Sequence, residues 1–268
     1  MTSTDQSPVP QYRDLLDLTG RNLVVLGAGQ GMGRQTSHAL AQSGARVVCV
    51  DIDAKLAHEI AEEVGGVPWV GDVTKSSDAA RLVGETTALL GGPLHGFVDI
   101  IGLAEWIDSL DIDEDMWDRQ FDVNLRQAYL VSRAIGRHMI DTGTPGTMVF
   151  VASVNGITAS RRHGAYGAAK AGLISWVKTL GQELGPHNIR VNAVAPGSII
   201  TPRLMAAGAR KKPSGKSAAL SPLGRNGLPF NIASAALFLS SELSSFVTGQ
   251  TVVVDGGVSV MDPYAGLS

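Results

Sequence analysis

From residue 23 onward the chain repeats one pattern: a short apolar run without polar alternation, then a longer stretch with apolar positions three and four apart. The runs at 23–26, 46–50, 67–70, 96–101, 147–151, 189–194 and 251–254 predict strands. The stretches between them predict helices from a glycine turn to residue 43, then over 56–64, 77–90, 116–142, 166–184 and 231–240. Strands that are apolar on both faces and alternate with helices belong to right-handed βαβ units. The expectation is an α/β protein: one domain, a doubly wound parallel sheet of about seven strands, helices on both faces. Residues 1–17 are polar and proline-containing and read as a flexible tail before a domain over 18–268. A segment at about 199–222 turns rich in Lys, Arg, Ser, Gly and Pro from residue 201; a loop this long in a compact domain is a substrate lid or disordered.

Composition narrows the partners. With 268 residues, 44% hydrophobic and 18% charged, the chain can bury a large core. A net charge of −3 leaves no basic footprint for nucleic acid and no attraction to an anionic membrane. No apolar run approaches the ~18 residues of a membrane span, and a soluble cytoplasmic protein is expected. The one cysteine, Cys49, lies inside a strand-like run and reads as a buried structural thiol. Trp69 and Trp176 sit in apolar contexts and read as core. The histidines lack metal-ligand spacing, and no catalytic metal is expected.

The glycines supply the first chemistry. Gly27-Ala-Gly-Gln-Gly-Met-Gly33 falls between the first strand and its helix, where backbone N–H groups and a helix N-terminus can receive a pyrophosphate. Met32 stands where a Gly-x-Gly-x-x-Gly fingerprint needs glycine, so the matching spacing is that of Gly27, Gly31 and Gly33. Asp51 ends the second strand about 20 residues on, positioned for a ribose 2′-OH and repulsive to a 2′-phosphate. No Lys or Arg occupies 27–33 or directly follows Asp51, which favours NAD over NADP. Asp53 reads as a solvated carboxylate. Asp72 is suited equally to the adenine edge and to a helix cap.

Tyr166 and Lys170 are four apart on a predicted helix and share a face. An ammonium beside a phenol favours the phenolate, so the phenol pKa is expected below its usual value of about 10. Such a tyrosine is a general acid/base for a hydroxyl or carbonyl. No Gly-x-Ser-x-Gly elbow accompanies Ser153, which argues against an α/β-hydrolase.

Taken together these residues resemble the short-chain dehydrogenase/reductase family, across roughly residues 18–260. The resemblance rests on the glycine turn, Asp72-Val73, Asn124 within Val123-Asn124-Leu125, Ser153, Tyr166 with Lys170, Asn192 through Pro196-Gly197 with Thr201, and Asp255-Gly256-Gly257. It implies a Rossmann fold and a homotetramer. It also implies Tyr166 as acid/base, Ser153 bonding the substrate oxygen, Lys170 lowering the tyrosine pKa and binding the nicotinamide ribose, and Asn124 holding a water on the proton route. Cofactor contacts would come from Gly27, Gln30, Gly31, Met32, Gly33, Asp51, Ile52, Asp72, Val73, Asp99, Gly102, Tyr166 and Lys170. Pro196, Gly197, Ile199 and Thr201 would wrap the nicotinamide end.

Two positions depart from the family pattern. Asp99-Ile100-Ile101-Gly102 replaces the usual Asn-Asn-Ala-Gly, and Leu26 replaces the threonine before the first glycine. Asp99 can serve the same backbone groups only if its charge is satisfied.

Residues just beyond the strand ends are expected to meet substrate: Leu103, Trp106, Val154, Asn155, His163 and Ser198, with Leu204 and Met205 on the lid. Their apolar character points to a bulky hydrophobic or cyclic alcohol or ketone. His163 either bonds substrate or is an idle loop histidine. Arg161 and Arg162 face solvent or a neighbouring subunit. The basic residues Arg210, Lys211, Lys212 and Lys216 either steer an anionic substrate or form a solvated face. The expected activity is an NAD-dependent exchange between a secondary alcohol and a ketone. An NADPH-dependent 3-oxoacyl-carrier reductase and a non-catalytic nucleotide sensor are the competing readings.

Overall fold

The computed structural model describes residues 7–207 and 218–262. Seven parallel strands form one sheet: β1 (Asn22–Leu26), β2 (Arg46–Asp51), β3 (Val67–Val70), β4 (Gly96–Asp99), β5 (Gly146–Val151), β6 (Ile189–Pro196) and β7 (Thr251–Val254). Their order is β3-β2-β1-β4-β5-β6-β7. The chain runs outward from β1 to β3, then returns to the other side of β1 with β4. That reversal opens a crevice at the carboxyl ends of β1 and β4, where ligands of doubly wound sheets bind.

The helices are α1 (Met32–Gln42), α2 (Ala54–Val64), α3 (Ser76–Leu90), α4 (Glu114–Phe121), α5 (Gln127–Asp141), α6 (Gly164–Leu184), α7 (Pro202–Ala207) and α8 (Pro229–Ser240). The period-2 alternation of β1 divides the core. Val24 and Leu26 point to the side covered by Leu82 of α3, Ile135 of α5 and Val177 of α6. Leu23 and Val25 point to the side covered by Leu40 of α1, Ile60 of α2 and Ile232 of α8. Both faces of the central strands are therefore dry, as their unbroken apolar runs required. Phe97 and Phe150 meet edge to face across β4 and β5 at 5.2 Å, worth about 0.5–1.5 kcal/mol beyond their burial.

Several expectations shift. Strand β4 ends at Asp99, not at 101. The helix expected over 116–142 is interrupted by a π-helical turn, Asp122–Arg126, where the Gln127 N–H reaches the Asp122 carbonyl. A π turn rotates the following residues relative to an α-helix. Asp53 is the N-cap of α2, accepting from the N–H groups of Lys55 and Leu56. Asp72 does not cap α3, whose N-cap is Lys75; its Oδ1 instead closes a local turn with the Thr74 N–H and hydroxyl. Cys49 and Trp69 are buried. Trp176 is half-buried with its indole N–H on Ser132. Arg210, Lys211, Lys212 and Lys216 lie outside the described residues. No helix of the described residues is long and apolar enough to cross a membrane.

Candidate active site

Strand β5 ends two residues before Ser153, and a single turn of 3-10 helix, Val154–Gly156, follows it. The Ser153 hydroxyl accepts from the Asn155 N–H at 3.1 Å, which sets the serine at the head of that turn. Two glycines let the turn lie against α6. A Cβ on Gly156 would come within 2.7 Å of the Lys170 carbonyl carbon, and one on Gly167 within 3.0 Å of the Asn155 carbonyl oxygen. This packing brings the Ser153 hydroxyl beside the Tyr166 phenol, where it favours the ionised form.

Lys170, one turn further along α6, is 2% exposed. Its ammonium donates to the Val151 carbonyl at 2.8 Å and faces the Ile101 carbonyl at 3.5 Å. It lies 6.0 Å from the centre of the Tyr166 ring. The expectation of a depressed phenol pKa is overturned in this arrangement. Burial pushes the Tyr166 phenol above its ordinary value, and the neighbouring Ser153 hydroxyl only partly offsets it. Burial brings Lys170 down to about 8, opposed by the negative charge of Asp99. The lysine is turned toward backbone carbonyls rather than toward the phenol, so desolvation wins at Tyr166.

Asn124 sits in the π turn and is fully buried. Its Oδ1 accepts from the Leu103 N–H at 3.0 Å, and its Nδ2 donates to the carbonyls of Leu103 at 2.9 Å and Gln120 at 2.8 Å. It thereby pins the chain leaving β4. A Cβ on Gly102 would lie 3.3 Å from both Asn124 Oδ1 and Lys170 Nζ, so Asn124 and Lys170 converge on one backbone position. Two buried glutamines near these groups went unread in the sequence: Gln127, which donates to Asp99 Oδ2 at 2.7 Å, and Gln120, beneath Asn124. Their signal was present as polar residues at 120, 124 and 127, one stripe at helical spacing.

At the other end of the crevice the glycine turn has the form a dinucleotide requires. Gly27 and Gly31 have φ of 77° and 58°, the left-handed region that favours glycine. A Cβ on Gly33 would stand 1.9 Å from the Gly27 carbonyl oxygen, so no side chain can separate helix from turn. Helix α1 follows its N-cap Gly31 without a side-chain cap, and the Gly33 and Arg34 N–H groups turn back to the Gln30 carbonyl at 3.1 Å and 3.5 Å, which places the positive end of the helix at the turn. Asp51 accepts from the Gly29 N–H at 3.0 Å and the Asp53 N–H at 3.0 Å, holding the end of β2 against the turn. Arg34, the first arginine of α1, is paired with Glu63 at 2.7 Å. The residues present fit a nicotinamide dinucleotide.

Other assignments need correction by side chain. Val73 and Ile199 are buried in the core, so their backbones are what can face a cofactor, while Met32 packs against the core and is half-buried. Ile52 and Gln30 are exposed beside the turn, and Pro196 is buried. A Cβ on Gly197 would meet Asp255 Cβ at 2.7 Å. Thr201 accepts from the Leu204 N–H at the start of α7 and approaches Gly31. Of the substrate candidates, His163 is buried between Trp106 and Tyr166, with ring centres 4.6 Å and 5.9 Å away. Leu103, Val154 and Asn155 are half-buried, while Ser198, Leu204 and Met205 are exposed. Arg161 and Arg162 are exposed, Arg162 standing 3.8 Å from Asp108. A separate cavity of about 620 Å³, lined by Arg21, His95, Asn188 and Arg190, opens at the amino-terminal ends of the strands, the opposite end of the sheet.

Residues 27–259 match the family model described as enoyl-(acyl carrier protein) reductase. A (3R)-3-hydroxyacyl-CoA dehydrogenase of Mus musculus is 34% identical over 88% of this chain and 95% of its own. An L-xylulose reductase of Bos taurus is 38% identical over 90% and 98%. The crystal structure of a short-chain type dehydrogenase/reductase from Mycobacterium marinum superposes with a TM-score of 0.84 at 30% identity, covering 93% of this chain and 99% of that one. With residues 27–259 matched by the family model, relatives above 30% identity over most of the chain and a seven-stranded parallel sheet, the chain belongs to the short-chain dehydrogenases/reductases, oxidoreductases acting on hydroxyl and keto groups.

Proposed function

We propose that the protein is an NAD(H)-dependent oxidoreductase that interconverts a secondary alcohol and a ketone, with Tyr166 as acid/base and Ser153, Lys170 and Asn124 around it. The observation that carries this reading is the buried Tyr166 phenol beside the Ser153 hydroxyl, with a buried ammonium one turn behind. In the reductive direction Ser153 holds the carbonyl oxygen and Tyr166 gives it the phenolic proton. The bound nicotinamide supplies or accepts the hydride. In the oxidative direction the phenolate of Tyr166 takes the hydroxyl proton. An ammonium has three donors; one is used on Val151 and a second points at Ile101, which leaves the third for a ribose hydroxyl. Because burial favours the protonated phenol, ketone reduction is the direction suited to neutral pH, and oxidation gains as pH rises.

NAD over NADP is supported by Asp51 at the end of β2 and by Arg34 being engaged with Glu63 rather than free for a 2′-phosphate. A bulky hydrophobic or cyclic substrate is supported by the Trp106–His163 stack leading to Tyr166. The reading extends to a cytoplasmic protein and to a homotetramer; for the assembly, support comes from the half-exposed Tyr129–Trp176 pair on α5 and α6 and from Val253 on the last strand.

The test is Tyr166→Phe in an NADH-coupled screen of cyclic and aromatic alcohols and ketones. Turnover should fall by about 10³-fold while NADH affinity stays within about twofold. Retention of most activity sinks the assignment. A 3-oxoacyl-carrier reductase is the second reading, favoured by the description of the matching family model and by the acyl-CoA relative. A higher kcat/KM with NADPH than with NADH, on an acyl thioester, would select it.

A further inference from the structure

Asp99 is a carboxylate, 2% exposed, in the middle of the sheet, paired in register with Leu26 on one side and Phe150 on the other. Its Oδ1 accepts from the Ile101 N–H at 3.0 Å and its Oδ2 from Gln127 Nε2 at 2.7 Å. Both oxygens act as acceptors, and neither donor carries a charge. A buried carboxylate satisfied only by neutral donors is costly. The cation that answers it is Lys170, reached through one residue: Ile101 donates its N–H to Asp99 and offers its carbonyl to the Lys170 ammonium at 3.5 Å.

The surroundings of Lys170 give this pairing its weight. From α6 it faces Tyr166, from the π turn the neutral amide of Asn124, and from β5 the Val151 carbonyl. Asp99, from β4, is the acidic group that acts on it; burial raises the Asp99 carboxyl, and Gln127, the Lys170 charge and the Ile101 N–H hold it back toward the ionised form. Burial alone drives an ammonium toward its neutral form, and a negative charge nearby resists that drift. A neutral amine would neither favour a phenolate at Tyr166 nor return a proton to it.

Resting on the reading of Lys170 as part of the proton route, we propose that Asp99 is a positioning residue for that route: its buried carboxylate fixes the Ile101 carbonyl under the ammonium and supplies the counter-charge that keeps Lys170 protonated. An asparagine here could bond the same backbone N–H but could not hold the charge. Gln127 fits the role as the group that orients the carboxylate from α5. Its Oε1 has no hydrogen-bond partner, so the amide can turn over if the group it faces changes from acceptor to donor.

That freedom makes Asp99→Asn a variant expected to fold. The measurement is the protonation midpoint of Lys170 in the full chain, followed by the ¹³Cε resonance of ¹³C-lysine-labelled protein and identified by its absence in Lys170→Arg. In the parent it should titrate at about 8. In Asp99→Asn the midpoint should fall by about one pH unit or more. Gln127→Met, which removes a donor that favours the ionised carboxylate, should move it the same way by less and decides the matter should Asp99→Asn not fold. An unchanged midpoint in a folded variant overturns the proposal and leaves Asp99 as a structural hydrogen-bond acceptor. The titration uses neither substrate nor cofactor. Loss of this inference therefore leaves the Tyr166→Phe test standing, and failure of that test leaves the midpoint shift intact.

Discussion

Placing a methyl group on Gly33 tests whether the glycine turn holds the cofactor. The Cβ of Gly33→Ala would stand 1.9 Å from the Gly27 carbonyl oxygen, 2.8 Å from its carbon and 2.9 Å from Ala28 Cα. All three are backbone atoms, so no side chain can swing aside. The turn has to retreat by about 1.5 Å or more to restore ordinary contact distance. It is not free to do so, because the Gly27 and Ala28 N–H groups both donate to the Val50 carbonyl at 2.9 Å. Such overpacking costs about 1–3 kcal/mol of stability. It also moves the first turn of α1 away from the pyrophosphate position. Loss of one charge-assisted hydrogen bond, about 1.5–3 kcal/mol, weakens NADH binding about tenfold or more. Gly84→Ala is the control, since Gly84 lies exposed inside α3 with open space around its Cβ position. There the methyl group should raise stability by about 0.5–1 kcal/mol and leave NADH affinity alone. The assays are NADH fluorescence titration and urea unfolding. A Gly33→Ala protein that binds NADH within twofold of the parent would refute the assignment of this turn to the pyrophosphate.

The charge state of Lys170 should also be visible in stability. Its pKa is about 8 in the folded protein against 10.5 unfolded, so between those values the unfolded chain binds more protons and stability rises with pH. Between pH 7.5 and 9.5 the gain is about 2 kcal/mol, present in urea unfolding of the parent and lost in Lys170→Met. Tyr166 acts in the opposite sense above pH 10, because its raised pKa lets the folded state keep a proton that the unfolded state releases. Cys49 is buried, with its thiol pushed up to about 11, and should resist a thiol reagent at pH 8 until guanidinium unfolds the chain, when one equivalent reacts.

The strands, their parallel arrangement and the position of the glycine turn were legible because each is a local signal: an unbroken apolar run, or a glycine cluster at the strand-to-helix step. Helix ends were nearly as clear. The π turn was not, because residues 116–142 keep an acceptable helical pattern throughout, and the extra residue per turn shows only when Asn124 meets Leu103. Residue roles divide the same way. Tyr166 and Lys170 announced themselves by spacing, whereas Gln120 and Gln127 became meaningful only once β4 lay beside α5. Met32, Val73 and Ile199 occupy motif positions, but packing sends their side chains inward.

The sequence by itself determined the fold class, the place of the glycine turn, the acidic residue after β2 and the placing of Tyr166 and Lys170 one turn apart on a single helix. These depend on residue type and spacing along one or two elements. The tertiary structure alone decided the proton affinities. A tyrosine and a lysine four apart predict a lowered phenol pKa, but folding buries both and turns the ammonium toward Val151 and Ile101. It also brings Asp99, 71 positions earlier, beneath that ammonium. Spacing specifies which groups can meet. Desolvation and the charges gathered from distant strands set what each group does with its proton, and neither exists until the sheet has assembled.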